Sequence, residues 1–423
     1  MKSLYAALIS IVALVLVCGN STAETFTKIS ESGFGDRHNR YAWSMCAFTP
    51  DEGGDSGITF LYVGTWNKKF LKGGEIHRME IVSEKWEPVI TNGFGNPLNQ
   101  GIRAMTVYEN EYGKALYAGT VNWAKGTQIY RTFDGINWES VSLLKMGTRA
   151  FRSCSAARSL AVINGDLYMG TINDSKIIAE EPYLFRFREK KTDFGNLDKK
   201  LSWEAVIKPA DDFIGRDQKG FASIFQYTDQ HGVERIYVAT WNGAKGAHLL
   251  ASETGDSGTW TVVMNNGFGK NVGAIFDSME HDGYIYLGTG AWKHGFNLFR
   301  SNDPSNSDSW EQIGEDNFGA GDYSKYAWTL LKRSDGAMYL TTNVFQLKAP
   351  AEFEGAQIYK SSDGLGWTQI VGADADVGPG FDDSENSGIR TSVEVDGVLY
   401  FGAIVSPENW TVSHGCEIWK MTD

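Results

Sequence analysis

One short segment recurs seven times along the chain, and this recurrence restricts the fold more than any other feature. Leu61-Tyr62-Val63-Gly64-Thr65 returns as Leu116-Tyr117-Ala118-Gly119-Thr120 and as Leu167-Tyr168-Met169-Gly170-Thr171. It appears again around Tyr237, Tyr286, Tyr339 and Tyr400, at spacings of 49 to 69 residues. Each copy is a β-favouring run closed by Gly or another small residue. An apolar-aromatic-basic run follows, as in Ile76-His77-Arg78, Ile129-Tyr130-Arg131 and Ile418-Trp419-Lys420, although the fourth repeat carries Leu249-Leu250-Ala251. A third run opens with Trp at positions 86, 138, 203, 260, 310 and 367, and an alternating run such as residues 102–108 precedes the next Tyr. Four strands in each such unit make a propeller blade. The chain is therefore expected to be all-β, a seven-bladed β-propeller of four-stranded antiparallel blades. The seventh outer strand is missing from the C-terminus. Phe26-Thr27-Lys28-Ile29, followed by Gly33-Phe34-Gly35 as Trp86 is followed by Gly93-Phe94-Gly95, is expected to supply it. The last blade is then closed by the N-terminal strand, which hides two sheet edges.

Composition excludes some functions. Aromatic residues at 13% with charged residues at 22% do not describe a disordered chain. A net charge of -13 repels phosphate, so nucleic acid is not an expected partner. Residues 1–23 read as a signal peptide: Lys2, an apolar run from Leu4 to Val17, and the small residues Ser21-Thr22-Ala23. The apolar run is short for a membrane span. Residues 24–423 are then the propeller domain, secreted to an extracellular or periplasmic space. Cys46, Cys154 and Cys416 form an odd set for an oxidising compartment and read as small buried apolar residues. The sequon Asn409-Trp410-Thr411 matters only in a host that glycosylates exported proteins.

The hairpins before two of the Trp residues carry a resemblance. Thr132-Phe133-Asp134-Gly135-Ile136-Asn137-Trp138 and Ser361-Ser362-Asp363-Gly364-Leu365-Gly366-Trp367 resemble the Asp boxes of sialidase-type (BNR) repeat proteins, one residue shorter between Asp and Trp. Ser301-Asn302-Asp303 through Trp310 is a lengthened copy. The resemblance implies a propeller with a folding motif in which Asp accepts backbone hydrogen bonds and Trp packs in the blade. It also implies a functional site on the opposite face. Sialidase activity is a weaker implication: that family has six blades and an Arg-Ile-Pro motif, and this chain has seven repeats and no such tripeptide. Sialidases of that kind use a Tyr nucleophile with a Glu partner and an Asp acid, and Tyr323 is the Tyr nominated here; Tyr326 matches Tyr41 and reads as packing.

Loop length selects the same face. The turns at Asn164-Gly165-Asp166, Asp282-Gly283, Asp335-Gly336 and Asp396-Gly397 are short, and the connections over 172–183, 343–357, 373–388 and 403–417 are long. Trp66, Trp123, Trp241, Trp292 and Trp410 lie in the long connections, where they could stack on sugar faces or cover the blades. Asn67, Asn122, Asn173, Asn242 and Asn343 recur at one repeat position and read as turn formers. Asp374, Asp376, Asp382, Asp383 and Glu385 are dense in oxygen ligands but lack EF-hand spacing, and read as a solvated loop. No His/Cys metal spacing, Ser-His-Asp set or phosphate-cradling loop stands out, so no metal or cofactor is assigned. Aligning the starts of the innermost strands puts Ala42, Arg103, Arg152, Ala222, Gly273, Ala327 and Arg390 at one position. Arg103, Arg152 and Arg390 are then expected at the channel mouth, gripping a carboxylate or sulfate or paired with acids such as Asp382, Asp383 or Glu385. The leading expectation is binding of an extracellular glycan or other anionic ligand on the long-loop face. A carbohydrate-active enzyme, hydrolase or lyase, is the alternative, and a protein–protein scaffold is the third.

Overall fold

A computed structural model describes residues 24–141, 154–172, 182–190, 200–209, 211, 218–242, 245–270, 272–291, 295–320, 324–344, 354–405 and 412–423. The leader, Arg152, Asn173, Trp292, Tyr323, Asn409 and Trp410 lie outside the described residues. The described chain is all-β apart from short 3-10 turns. Its strands pair antiparallel throughout. Fourteen inner strands close on themselves as a barrel-like ring, with further strands paired outside them in a propeller-like arrangement. The innermost strands are Asn39–Phe48, Gly101–Asn110, Ala156–Ile163, Gly220–Thr228, Ala274–His281, Ser324–Lys332 and Asn386–Val395. Each is hydrogen-bonded to the Tyr-bearing strand that follows it. Single pairs such as Trp66 with Gly101 and Ile172 with Gly220 link that strand to the next innermost one. Tyr41 opposite Ile404 closes the ring.

The packing explains each letter of the repeated segment. Its Gly lies where the next innermost strand comes too close for a side chain. A Cβ on Gly64 would stand 2.7 Å from Cβ of Ile102, and one on Gly119 2.4 Å from that of Ala157. The Thr hydroxyl accepts the backbone N–H that opens the third strand. Glu75 donates to Thr65 at 3.0 Å, Gln128 to Thr120 at 2.9 Å and His248 to Thr240 at 2.8 Å. The Tyr is fully buried and reaches the following unit: Tyr62 Oη donates to the carbonyl of Gly135 at 3.2 Å, and Tyr237 Oη bonds Ser305 Oγ at 3.0 Å. The basic residue of the third strand supports the same contact. Arg78 donates to Glu87 at 2.6 Å and to Asp55 at 2.7 Å, and Arg131 donates to Tyr117 Oη at 3.1 Å. The Tyr62 and Tyr237 contacts thereby tie unit to unit.

The turns are built as locally. Asp134 Oδ1 accepts the N–H groups of Ile136 at 2.9 Å and Asn137 at 2.7 Å, and Asp363 Oδ1 accepts those of Leu365 at 2.8 Å and Gly366 at 2.9 Å. Burial alone would push the Asp134 carboxyl up, but hydrogen bonds from Asn137, Ile136 and Thr132 outweigh it and hold the group at about 2. In the Gly-Phe-Gly turns the Phe residues are left-handed, with φ of 54° at Phe34 and 60° at Phe94. Their rings lie flat on the third strand of the next unit, Phe34 on His77 at 4.1 Å and Phe94 on Tyr130 at 3.9 Å.

Thr25–Lys28 pairs with the C-terminal strand Ile418–Thr422, with Phe26 opposite Met421. Ser30 Oγ accepts the Ile418 N–H at 2.9 Å, and Lys28 meets buried Glu417 at 3.0 Å. Cys46 and Cys416 are free thiols, and Cys154 is buried. Burial pushes the Cys46 thiol up to about 12, which leaves it protonated and unreactive at neutral pH. No helix among the described residues is long and apolar enough to cross a membrane.

Candidate functional site

Every innermost strand is bulged at one shared position, three of them slipping a second time nearer their start, and the shared bulges build the site. The register slips between Ala42 and Ser44, Ile102 and Ala104, Ala157 and Ser159, and Phe221 and Ser223. It slips again between Ile275 and Asp277, Ala327 and Thr329, and Ile389 and Thr391. The extra residue in each strand is Trp43, Arg103, Arg158, Ala222, Phe276, Trp328 or Arg390. All seven line one central cavity of about 240 Å³. A bulge re-aims the side chain of its extra residue. Here it places three guanidiniums, three aromatic rings and one methyl group around one channel.

Two of the three arginines are those expected from the sequence. Arg103 and Arg390 line the channel and are 8% and 7% exposed. Arg158, 5% exposed, is the bulge residue of the third innermost strand, and the expected Arg152 lies outside the described residues. The corresponding residues elsewhere are Trp43, Phe276 and Trp328 in place of Ala42, Gly273 and Ala327. Each guanidinium lies against a ring: Arg103 is 4.9 Å from Trp43, Arg390 4.7 Å from Trp328, and Arg158 5.6 Å from Phe276. Arg158 and Phe276 belong to strands separated by the one that carries Ala222, whose small side chain leaves room between them. Planar cations against aromatic faces hold a fixed orientation.

Positive groups outnumber negative ones among the described residues that line the channel. Among the described residues that line it, the charged groups are Arg103, Arg158, Arg390 and Asp277. Asp277 faces channel space yet is surrounded by protein, and it accepts N–H bonds from Ser278 and Leu330, both at 2.9 Å. Burial raises its carboxyl to about 6, despite those bonds and the nearby charges of Arg158 and Arg390. Burial also lowers Arg390 well below the usual guanidinium range, and the like charges of Arg158 and Arg103 lower it further, while Asp277 and Tyr41 act in the other direction. Arg390 Nε and Trp328 Nε1 are buried donors with no acceptor among the described residues.

Asp382, Asp383 and Glu385, the acids expected near these arginines, make contacts within their own loop region. Asp383 pairs with His414 at 3.0 Å, Glu385 accepts the Ser413 N–H and hydroxyl at 2.8 Å, and Asp382 accepts the Gly378 N–H at 2.9 Å. No group of three or more His, Cys, Asp or Glu among the described residues is arranged to hold a metal ion.

Aromatic residues cover the strand ends above the arginines. Trp66 is 7% exposed and packs on Tyr41 at 4.8 Å, so it is core rather than an open platform. Trp123 and Trp241 are partly buried against the same cluster, Trp241 meeting Phe276 at 5.6 Å. Asn67 and Asn122 form turns, accepting the N–H of Lys69 at 2.9 Å and of Lys125 at 2.8 Å. The bulge position was the signal that sequence reading missed: it is defined by pairing with the Gly-Thr of the next strand, not by distance from a strand start.

The sequence matches no protein-family profile and no curated protein. Solved structures with a similar chain path include the sialidase of Trypanosoma rangeli, at 11% identity, a TM-score of 0.45, and 95% of this chain against 59% of that one. A protein of unknown function from Dyadobacter fermentans is similar at 11% identity and a TM-score of 0.47, over 94% of this chain and 98% of that one. A putative exo-β-1,3-galactanase from Bifidobacterium bifidum gives 12% identity and a TM-score of 0.37, over 64% and 92%. The chain thus spans about three fifths of the trypanosomal sialidase. Similarity at this level carries neither activity nor substrate to this chain.

Proposed function

We propose that the protein is an exported, seven-bladed, Asp-box type propeller that binds an acidic ligand, a glycan or another extracellular anion, in its central channel. Each blade would be one innermost strand, the Tyr-bearing strand and the two outside it, with residues 25–28 completing the seventh. The observation that carries the reading is Arg390. Its guanidinium is buried beside the like charges of Arg158 and Arg103, and its Nε is a buried donor with no acceptor among the described residues. A bound anion would supply the missing charge through the planar donor fork of arginine. Arg103 and Arg158 would grip the same group, and Trp43 and Trp328 would flank it; Trp123, Trp241 and Trp292 remain candidates for ligand contact at the mouth. Binding is favoured over hydrolysis because Asp277 is the one carboxylate among the described channel-lining residues, where glycoside hydrolysis ordinarily uses two.

The test is a glycan array probed with residues 24–423 and with Arg390→Ala. Capture of sulfated, phosphorylated or uronic acid glycans, at least tenfold weaker in the variant, is expected. Equal capture by both chains, or capture of neutral glycans alone, would contradict the reading.

A further inference from the structure

We propose a second ligand site, an aromatic pocket among the outer strands at Phe318, Tyr359 and Trp367, that takes a neutral sugar ring. The pocket shares no lining residue with the central channel and is independent of the anion-binding reading.

One departure from the repeat creates it. The turn that carries each left-handed Phe hangs from a carbonyl two residues before a third strand. Gly93 N–H donates to Gly74 at 2.9 Å, Gly267 to Ala247 at 2.9 Å, Gly380 to Ala356 at 2.8 Å and Gly33 to Cys416 at 2.6 Å. Those supporting residues are small, and the Phe of each turn lies flat on a ring of the next unit. Phe268 lies on Phe299 at 4.1 Å and 11°, and Phe381 on Trp419 at 4.4 Å and 11°. Asn317 donates instead to Phe296, at 2.7 Å, and the Phe296 ring meets Phe318 edge-on at 5.3 Å and 90°. Phe318 is thereby turned off the face of Tyr359, to which it stands at 70°, and lies within 20° of the Trp367 plane. The cavity at Phe268, Phe299 and Trp310 is about 280 Å³, and its counterpart at Phe318, Tyr359 and Trp367 is about 670 Å³. The larger volume is that of a small-molecule site.

A line of polar groups runs beside the rings. Tyr359 Oη donates to Gln357 Oε1 at 3.1 Å and accepts from Gln369 Nε2 at 3.2 Å, and Gln369 Oε1 accepts the Asp374 N–H at 2.8 Å. Among the described lining residues the charged groups are Glu354 and Asp374, with no Lys, Arg or His, so an anion is repelled. Phe318 and Trp367, 6.0 Å apart, pack on each other and leave no gap for an ammonium ion between them. A sugar ring joins an apolar C–H face to hydroxyls that donate and accept. A half-buried indole beside amides and a carboxylate offers partners for both.

Residues 24–423 would be applied to an array of neutral hexose oligosaccharides, alongside Trp367→Ala, Gln369→Ala and Arg390→Ala. At least one neutral oligosaccharide should be captured, at least tenfold more weakly by Trp367→Ala and by Gln369→Ala, and equally by Arg390→Ala. Gln369 is only partly buried, so its variant decides the matter if Trp367→Ala does not fold. Tetramethylammonium chloride added as a competitor should leave capture unchanged.

No capture of any neutral oligosaccharide, or capture unaltered by Gln369→Ala, would overturn the site. Loss of neutral capture in Arg390→Ala would move it to the channel and overturn the site as well. Displacement by tetramethylammonium would give the pocket to a cation and overturn the ligand class. Capture of acidic glycans through Arg390 is read separately on the same chains, so either site can fail without the other.

Discussion

A guanidinium buried among like charges weakens a fold unless something negative joins it, and Arg390 is in that position. Arg390→Met keeps the length of the side chain against Trp328 and removes the charge. In low-salt buffer free of multivalent anions, its melting temperature should equal that of the unaltered chain or exceed it by up to about 3 °C. Scanning calorimetry would check this, and a drop of more than about 5 °C would show that the charge is already balanced from within. Gly364 tests the other kind of residue, one placed for packing. Its φ is +73°, and a Cβ there would stand 2.2 Å from Tyr286 Oη. Gly364→Ala should cost about 2 kcal/mol or more in denaturant unfolding, and Tyr286→Phe in the same chain should return part of it. A cost under about 0.5 kcal/mol would mean that the contact between units is loose.

The strands were legible in the sequence because each repeat marks them chemically: Tyr for the reach into the next unit, Gly for close approach, Thr for the bond to the third strand. The bulge was not legible. One extra residue has no composition of its own, and here it is Trp, Arg, Ala or Phe depending on the strand. Counting from strand starts of uneven length therefore slipped by one residue at Trp43 and at Trp328 and by three at Phe276. The aromatic residues misled for a related reason: a Trp assigned to a long connection looks available until its neighbours are known, and Trp66 instead lies in the strand Phe60–Asn67 with its ring packed on Tyr41. The N-terminal strand could be anticipated from the missing seventh outer strand, and its pairing with residues 418–422 gives it a measurable role. Removing residues 24–35 takes away the partner of the C-terminal strand and leaves Glu417 without Lys28 and Ser32. The melting temperature should fall by about 5 °C or more, and an exposed edge should promote association. An unchanged, cooperative melt would mean that the ring closes without that strand.

On the scale of the whole molecule, closure creates the site. No single unit contains it: the arginines come from three innermost strands, the carboxylate from a fourth, and the flanking tryptophans from two more. A ring that opens therefore disperses the charge and loses the ligand together with its stability. Acidity of the chain as a whole, at a net charge of -13, coexists with three guanidiniums buried around the channel. The acidic exterior would slow the approach of an anion without deciding its affinity once it is inside.

The most direct test is a crystal structure of residues 24–423 grown with selenate, a dianion that can be located by its anomalous scattering. The account predicts one strong selenium peak in the central channel, with oxygens about 2.7–3.2 Å from the guanidiniums of Arg103, Arg158 and Arg390. A channel holding water alone at high selenate concentration, with Arg390 turned onto a carboxylate, would contradict it.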